Sequence, residues 1–491
     1  MENKYLIKIA KAAPDKKLRV DKHHQEVFDL LEKGDGVVAQ HSMGSGKTLN
    51  ALRAAAIAQK RHPDKDVIIS APASVIKQFE SEREKFGIKL DSKHTKYYSH
   101  EELVNRAEAI SKGRNSLLII DEAHRLRNTG TAKYKAHALV RDSADKAVLY
   151  TGTAMYNKPH DLAALVNLAA GYKKLPESES EFKKEFIATE KVNPGSFARL
   201  FGAQAGEVEH LRNGNKLKSL LKDTVHNYDA QKDMPEEFAK TTEKVHKIGM
   251  SPEQYKYYRF AENRIPWPIR AKIRAGLPLS KKENASLNAF SSGVRQISNS
   301  FASYTMDPRK VESSPKFLKM IEHSDELRKK LGKDYRGVVY SNYLASGLSH
   351  YSNELKKKGI SHGVYTGELS KAEKTKMVDE YNAGKFDTLL LSSSGAEGIN
   401  LKGVRHMQIM EPHWNDSKIR QVAARAVRRG SHAHLEEKDR HVQIDHYHSE
   451  LPKGFLGKAS GKSIDEYLHG MSQDKEVLKK DINKLVDSNS K

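Results

Sequence analysis

Residues 37–48 read Val37-Val38-Ala39-Gln40-His41-Ser42-Met43-Gly44-Ser45-Gly46-Lys47-Thr48, and how they are read decides the fold. The apolar triplet makes a short strand, the glycines open a loop, and Lys-Thr stands where a good helix begins at Leu49. Strand, Gly-containing loop and Lys-Thr at a helix start are the context of a phosphate cradle. Gly44 and Gly46 let backbone N–H groups turn toward phosphate oxygens, which a side chain would obstruct. Lys47 would then reach the outer phosphates of a nucleotide and the Thr48 hydroxyl would ligate Mg²⁺. His41 occupies the place where G-x-x-x-x-G-K-[ST] has its first glycine, so the stretch alone is a half-match.

The missing half lies about seventy residues on. The apolar strand Leu117–Ile120 ends in Asp121-Glu122-Ala123-His124. Asp121, at the end of a parallel strand adjoining the loop's own strand, is placed to hold Mg²⁺. Glu122 is placed to orient and deprotonate an attacking water. In the C-terminal half, Gln421, Arg425 and Arg428 stand at i, i+4 and i+7, which predicts one helical face. Two arginines facing a terminal phosphate would stabilise charge in the transition state.

The remainder of the chain supports an α/β reading. Val67-Ile68-Ile69, Ala147–Tyr150, Gly337–Tyr340, Thr388–Leu391, Met407–Met410 and Val442–Ile444 are short, branched and apolar, as buried parallel strands are. The predicted fold class is therefore α/β with two parallel-sheet lobes. Residues 1–172 form the first lobe and 308–450 the second. Between them, 173–307 reads as a helical insertion with a strand near 241–248 returning to the first sheet. Residues 451–491 read as a basic helical extension with one apolar face through Leu478, Ile482 and Leu485.

Composition bounds the partners. Lys and Arg number 85 against 63 Asp and Glu over 491 residues, a net charge of +22. Such an excess favours a polyanion, because neutralised phosphates release condensed counterions. Within Glu253–Lys310, eleven Lys and Arg face four Asp and Glu; a solvated helical surface explains that as well as a nucleic-acid contact does. Cysteine is absent, which excludes disulfides and thiolate-ligated zinc. No apolar run approaches the roughly 20 residues of a membrane span, and the charged start does not read as a secretory signal. The expectation is an intracellular protein with no membrane partner. The C-terminal histidines His432, His434, His441, His446 and His448 are spaced irregularly, and the reading gives them to solvent or nucleic acid rather than to a metal.

Taken together, the motifs resemble those of superfamily 2 helicases. The Gly-Ser-Gly-Lys-Thr, Asp-Glu-Ala-His and Thr151-Gly152-Thr153-Ala154 stretches look like motifs I, II and III. Gln25 looks like the adenine-reading glutamine, and Ser70-Ala71-Pro72 like motif Ia. Tyr340-Ser341-Asn342 looks like motif IV, Ser392–Leu401 (SSSGAEGINL) like motif V, and 421–428 (QVAARAVR) like motif VI. The tails of Asp121–Asn128 (DEAHRLRN) and Tyr150–Asn157 (YTGTAMYN), with Arg295–Asn299 and Glu411–Asn415, are similar to the Swi/Snf-type branch. The C-terminal quarter, with Ser463–Leu468, is closest to viral and phage members such as the poxvirus nucleoside triphosphate phosphohydrolase I group.

The resemblance implies two RecA-like lobes with ATP and Mg²⁺ bound through Gln25, Met43, Gly44, Ser45, Gly46, Lys47, Thr48, Asp121, Gly398 and Asn400. It implies catalysis by Lys47, Asp121, Glu122, Gln421, Arg425 and Arg428. It assigns nucleic-acid contact or coupling to Ser70, Ala71, Pro72, His124, Thr151, Gly152, Thr153, Ser341, Asn342, Ser394 and Gly395. Three positions depart from the pattern: His41, tolerated in this branch; Ala154, where proline is usual; and Ala424, where glycine precedes the arginine. The implied activity is an ATP-dependent motor on duplex DNA. A strand-separating helicase on single-stranded DNA or RNA, and a transcription accessory factor bound to a viral RNA polymerase or other viral protein, remain open. A viral member would act in the host cytoplasm or a nucleus-like replication site, or travel in the virion.

Overall fold

The computed structural model describes residues 21–193, 205–305, 313–393, 399–414, 416–453 and 461–487. Strands β1 (Gly36–His41), β2 (Asp66–Ala71), β3 (Thr95–Ser99), β4 (Asn115–Ile120) and β5 (Ala144–Thr151) alternate with helices. A short pair, β6 (Ile187–Val192) and β7 (Gly206–Leu211), precedes β8 (Val225–Tyr228). The first sheet runs β3-β2-β4-β5-β1-β8 and is parallel throughout. β1 and β4 are buried along their whole length, as strands covered on both faces must be. Alternation sorts their side chains between two cores. Val37, Ala39, Ile69 and Ile119 meet the helix Lys47–Arg61 through Ala51, Leu52 and Ala55. Val38, Ile68, Leu118 and Leu149 meet Leu103, Val140 and Leu162 on the other face.

The second sheet contains β9 (Lys240–Gly249), β10 (Gly337–Ser341), β11 (His362–Tyr365), β12 (Thr388–Ser392), β13 (His406–Ile409) and β14 (His441–Glu450). Its order is β11-β12-β10-β13-β14-β9, again parallel throughout. Val338, Leu389, Met407 and Ile444 line one core. Val339, Leu390 and Tyr447 line another, under Phe317, Met320 and Ile321 of the helix Pro315–Leu331. The α/β class with two parallel sheets is as expected. Among the described residues, no helix is long and apolar enough to cross a membrane.

Segment assignment differs from the sequence reading in three ways. The chain forms two units, residues 21–188, 211–233 and 478–487 in the first, and 189–210 and 234–477 in the second. The expected return of 241–248 to the first sheet is corrected: β9 pairs along ten residues with β14 at the edge of the second sheet. The strand that does return is β8, which pairs with β1. The expected helical insertion is also not a body of its own. Its helices supply Tyr258, Ile269, Leu287 and Ile297 to a core shared with Ile464, Tyr467 and Leu468, within the second unit.

The apolar face of the C-terminal helix packs within the chain. The helix Ile464–Asp487 buries Leu478, Ile482 and Val486 in the first unit's core beside Leu217, Leu221 and Val225. Its apolar face is spent on the chain itself. Ile482→Ala is expected to destabilise the first unit by about 2–5 kcal/mol, the usual cost of emptying a fully buried isoleucine site. Urea unfolding measures it; a shift under half a kcal/mol would mean that the helix end does not dock in solution.

Candidate active site

The loop after β1 is held from behind by imidazoles. Gly44 and Gly46 have φ of 84° and 80°, the left-handed region that glycine enters without a Cβ penalty. A Cβ on Gly46 would also lie 3.1 Å from the His24 ring. The Ser45 carbonyl accepts from both His23 Nε2 and His24 Nε2, each at 2.9 Å. A trans peptide points its C=O and N–H in opposite directions. Anchoring the Ser45 carbonyl inward therefore turns the Gly46 N–H outward, which is what a phosphate cradle requires.

His23 stacks on Tyr228 of β8, with centroids 3.6 Å apart and planes 2° from parallel. His226, also on β8, donates through Nε2 to Glu26 at 3.0 Å. Its Nδ1 is thus left to accept from His41 Nε2 at 2.8 Å. His41 is wholly buried, and desolvation, with the neighbouring His226 second, holds its pKa well below the ordinary value. The residue standing in for the first glycine is a neutral spacer between β1 and β8. It carries no phosphate chemistry.

Lys47 extends to the carbonyl oxygens of His41 and Ser42, at 2.9 and 3.1 Å. Asp121 lies close enough for Lys47 to oppose part of the rise in its pKa. That rise, caused by burial first and the Glu122 carboxylate second, takes Asp121 to about 7. Asp121 Oδ1 accepts from the Glu122 amide at 2.8 Å, and no other protein donor to this carboxylate is found among the described residues. A buried carboxylate left this bare favours a cation beside it. Asp121 with Thr48, at the start of the adjoining helix, thus fits Mg²⁺.

Glu122 is one of two described non-glycine residues with positive φ, at 50°. Such a conformation for a long side chain persists only where its surroundings impose it, and marks functional sites. Its carboxylate lies 3.2 Å from His124 Nδ1. His124 stacks on Tyr156 with centroids 5.0 Å apart and approaches Thr151 Oγ1 at 3.4 Å. Thr151 Oγ1 also accepts from the Thr153 amide at 3.2 Å, across Gly152. Motifs II and III are therefore joined through His124. One expectation is corrected: β4, which ends one residue before Asp121, does not adjoin β1, because β5 lies between them. The interposed strand is the one that delivers Thr151.

Sequence reasoning missed the residues that brace this arrangement. Gln40 donates to Asn227 at 3.0 Å and to Asn483 of the C-terminal helix at 3.2 Å. Its own carbonyl accepts from the Ala154 amide at 3.2 Å. Lys479 donates to the Tyr156 carbonyl at 3.2 Å. Only the clustered polar residues just before a strand end hinted at this role. Gln25 lies on the helix Lys22–Lys33 and donates to Asp29 at 2.9 Å.

Ser70, Ala71 and Pro72 are all buried. The Ser70 hydroxyl is enclosed between His137 Nε2 at 2.8 Å and His100 Nδ1 at 2.9 Å. Burial lowers His137 to about 4 and His100 to about 3, from an ordinary 6.5. The Ser70 side chain braces the strand through these two imidazoles. Both histidines stay neutral in the fold, while the unfolded chain takes up protons below 6.5. Stability from this pair is therefore complete above pH 6.5 and is lost as pH falls toward 4. The expected slope is about 1.4 kcal/mol per pH unit for each histidine. Urea midpoints measured between pH 7.5 and 5 check it, with His137→Asn as the variant expected to flatten the slope.

In the second unit Ser341 and Asn342 are gathered by Glu411. Its carboxylate accepts from Ser341 Oγ at 2.9 Å, Asn342 Nδ2 at 3.1 Å and Asn299 Nδ2 at 2.8 Å. Lys316 then links Asn299, the Met410 carbonyl and Asp465 at 3.0, 3.1 and 3.0 Å. Gln421 and Arg425 lie on the helix Asp416–Ala426, both half-buried. Arg428 falls beyond that helix, so the expected single face is corrected. The chain turns there, with Ser431 donating to the Arg428 carbonyl. The Asn400 carbonyl accepts from Asn382 at 3.0 Å. Ser394, Gly395 and Gly398 lie outside the described residues. Trp414 packs on the helical core, with Arg295 5.9 Å from its ring. Of the C-terminal histidines, His432 and His448 are buried rather than solvated; His432 donates to the Val404 carbonyl.

A glycine loop aimed by its own carbonyls, with Lys47, Asp121 and Glu122 converging beside it on a parallel sheet, defines a P-loop nucleotide hydrolase unit. Residues 89–317 match the SNF2-related domain model and residues 319–430 the helicase conserved C-terminal domain model. An Acanthamoeba polyphaga mimivirus protein whose name proposes an ATP-dependent RNA helicase is 32% identical over 471 residues, covering 94% of this chain and 96% of that protein. The chain belongs to the SNF2-related family of helicase-class ATPases. A termination factor NPH-I homolog of African swine fever virus is 25% identical over 551 residues, covering 91% of this chain and 74% of its own length. A solved structure of the Sulfolobus solfataricus SWI2/SNF2 ATPase core in complex with dsDNA aligns over 96% of this chain and 97% of that one at 20% identity. Its TM-score is 0.38.

Proposed function

We propose that the protein is an ATP-driven translocase on double-stranded DNA, of viral origin. The observation that carries this reading is the convergence of Lys47, Asp121 and Glu122 beside a pre-aimed loop. Thr48 and Asp121 would hold Mg²⁺, which supplies charge neutralisation for the outer phosphates. Lys47 would exchange the His41 and Ser42 carbonyls for phosphate oxygens. Glu122, fixed by its backbone and by His124, would orient the attacking water. Gln421, Arg425 and Arg428 would answer the charge that develops in the transition state. The path from Glu122 through His124 to Thr151 offers a route by which phosphate state could reach motif III.

Duplex DNA as the track rests on the SNF2-related match and on the net charge of +22. The mimivirus relative's name favours RNA as a second reading, and the African swine fever virus relative's name favours transcript release. ATP turnover measured with duplex DNA, single-stranded DNA and RNA at matched phosphate and salt separates the tracks. Duplex stimulation with displacement of a triplex-forming strand, without separation of the duplex, is the expected result. Turnover indifferent to all three polymers would overturn the motor reading. An added polymerase that alone restores activity would favour the accessory role.

A further inference from the structure

The second sheet carries a cluster that ATP chemistry does not use. β9, β13 and β14 present His246, His406, Gln443, Asp445 and Tyr447 on one face, and the helix Pro315–Leu331 brings His323 over them. Asp445 is fully buried. Its Oδ1 lies 2.9 Å from His246 Nε2. Its Oδ2 accepts from His406 Nε2 at 2.9 Å and from Gln443 Nε2 at 2.7 Å. Among the described residues, no lysine or arginine contacts it. A buried carboxylate is ordinarily paired with a fixed cation or bound to a metal. This one is surrounded by imidazole and amide.

We propose that His246, His323 and Asp445 form a binding site for a first-row divalent cation of the Zn²⁺ type. One ligand atom from each residue lies within 4.8 Å of the others. Ligand atoms around a tetrahedral zinc, at about 2.0–2.1 Å from the ion, stand about 3.3 Å apart. The half-exposed His323 closes that gap by rotation of its side chain. Two imidazoles and one carboxylate suit this class of ion and not Mg²⁺ or Ca²⁺, which take oxygen ligands.

The outer contacts are those a metal site uses. Metal-bound imidazoles and carboxylates are oriented by hydrogen bonds on their remaining atoms. His323 Nδ1 meets the Tyr447 hydroxyl at 2.8 Å, and Asp445 Oδ2 is fixed by His406 and Gln443. Tyr447 also stacks on His246. With a fourth position left to water, the ion would pin the edge strand β9 to β14 and to the overlying helix. These three segments are far apart in sequence, so binding would stabilise the second unit.

The test uses the full chain after chelation, titrated with Co²⁺ and with Zn²⁺. The expected result is a visible Co²⁺ absorption band of tetrahedral intensity, displaced by one equivalent of Zn²⁺, and a rise in Tm with Zn²⁺. His323→Gln removes a ligand and should weaken binding by more than the roughly hundredfold that loss of an outer-shell partner costs, abolishing the rise. Because Asp445→Asn sits in the buried layer and could fail to fold, His323→Gln and His246→Gln carry the test. His24→Gln, at the separate Asp21, His23 and His24 group, should leave the band unchanged. Absence of the band, or a band equal in the wild type and His323→Gln, would overturn the site and leave a purely hydrogen-bonded cluster.

Discussion

Glu122→Gln is expected to lower ATP turnover by about 10²–10⁴-fold, the range over which a positioned general base contributes. ATP affinity should change little. The amide keeps the size of the side chain and its neighbour His124, 3.2 Å from the carboxylate in the native protein. It loses only the capacity to take a proton from water. Single-turnover hydrolysis alongside equilibrium binding of a labelled nucleotide separates the two effects. Lys47→Ala should differ by losing binding as well, since it removes a charge reaching the phosphates. Turnover of Glu122→Gln within a factor of about five of the wild type would move the base elsewhere, because that is far below any general-base contribution.

Asp465→Ala should be the most damaging change outside the nucleotide site. Lys316 and Asp465 are both essentially buried, and their ion pair spans 3.0 Å. Removing one partner strands the other charge in the interior, at a cost of about 3–5 kcal/mol. Asp465 also accepts from the Ser449 amide at 3.0 Å, which would be orphaned with it. Replacing both residues, Lys316→Met with Asp465→Leu, should recover most of the loss, since no buried charge remains. Urea unfolding of the two variants checks this. If the single variant is as stable as the double one, the pair is not buried in solution. A second consequence is readable in nucleic-acid stimulation. Lys316 holds Asn299, Asn299 reaches Glu411, and Glu411 gathers Ser341 and Asn342, so motif IV should loosen in the single variant.

Much of this site was legible because its chemistry is local. Gly44, Gly46, Lys47 and Thr48 are consecutive or nearly so, and Asp121 and Glu122 sit at the end of an unmistakable apolar strand. Strand order was not legible. Periodicity reveals that Ala147–Tyr150 is a strand, but says nothing of its lying between β1 and β4. For the same reason β9 was assigned to the wrong sheet and β8 was not anticipated: an edge strand such as β9 is mostly exposed and carries little pattern to place it. The roles of the buried histidines were not legible at all. His23, His24, His100, His137 and His226 look polar in a sequence, and each is buried because a distant carbonyl, hydroxyl or carboxylate satisfies it. Arg428 was misplaced for a smaller reason, since the helix stops two residues before it.

The discontinuity of the first unit has a consequence for how the protein is made. The first unit opens near residue 21 but takes β8 from Val225–Tyr228 and its closing helix turns from Leu478–Asp487. Domains commonly fold in order as they leave the ribosome. Here the first unit cannot bury Leu217 and Leu221 against Ile482, or give Gln40 its Asn483 partner, until residues 478–487 have been synthesised. The second unit's residues are complete before then. The nucleotide-binding unit is thus begun before the second unit and finished after it, and a chain interrupted before Leu478 carries every catalytic motif with its first core still open.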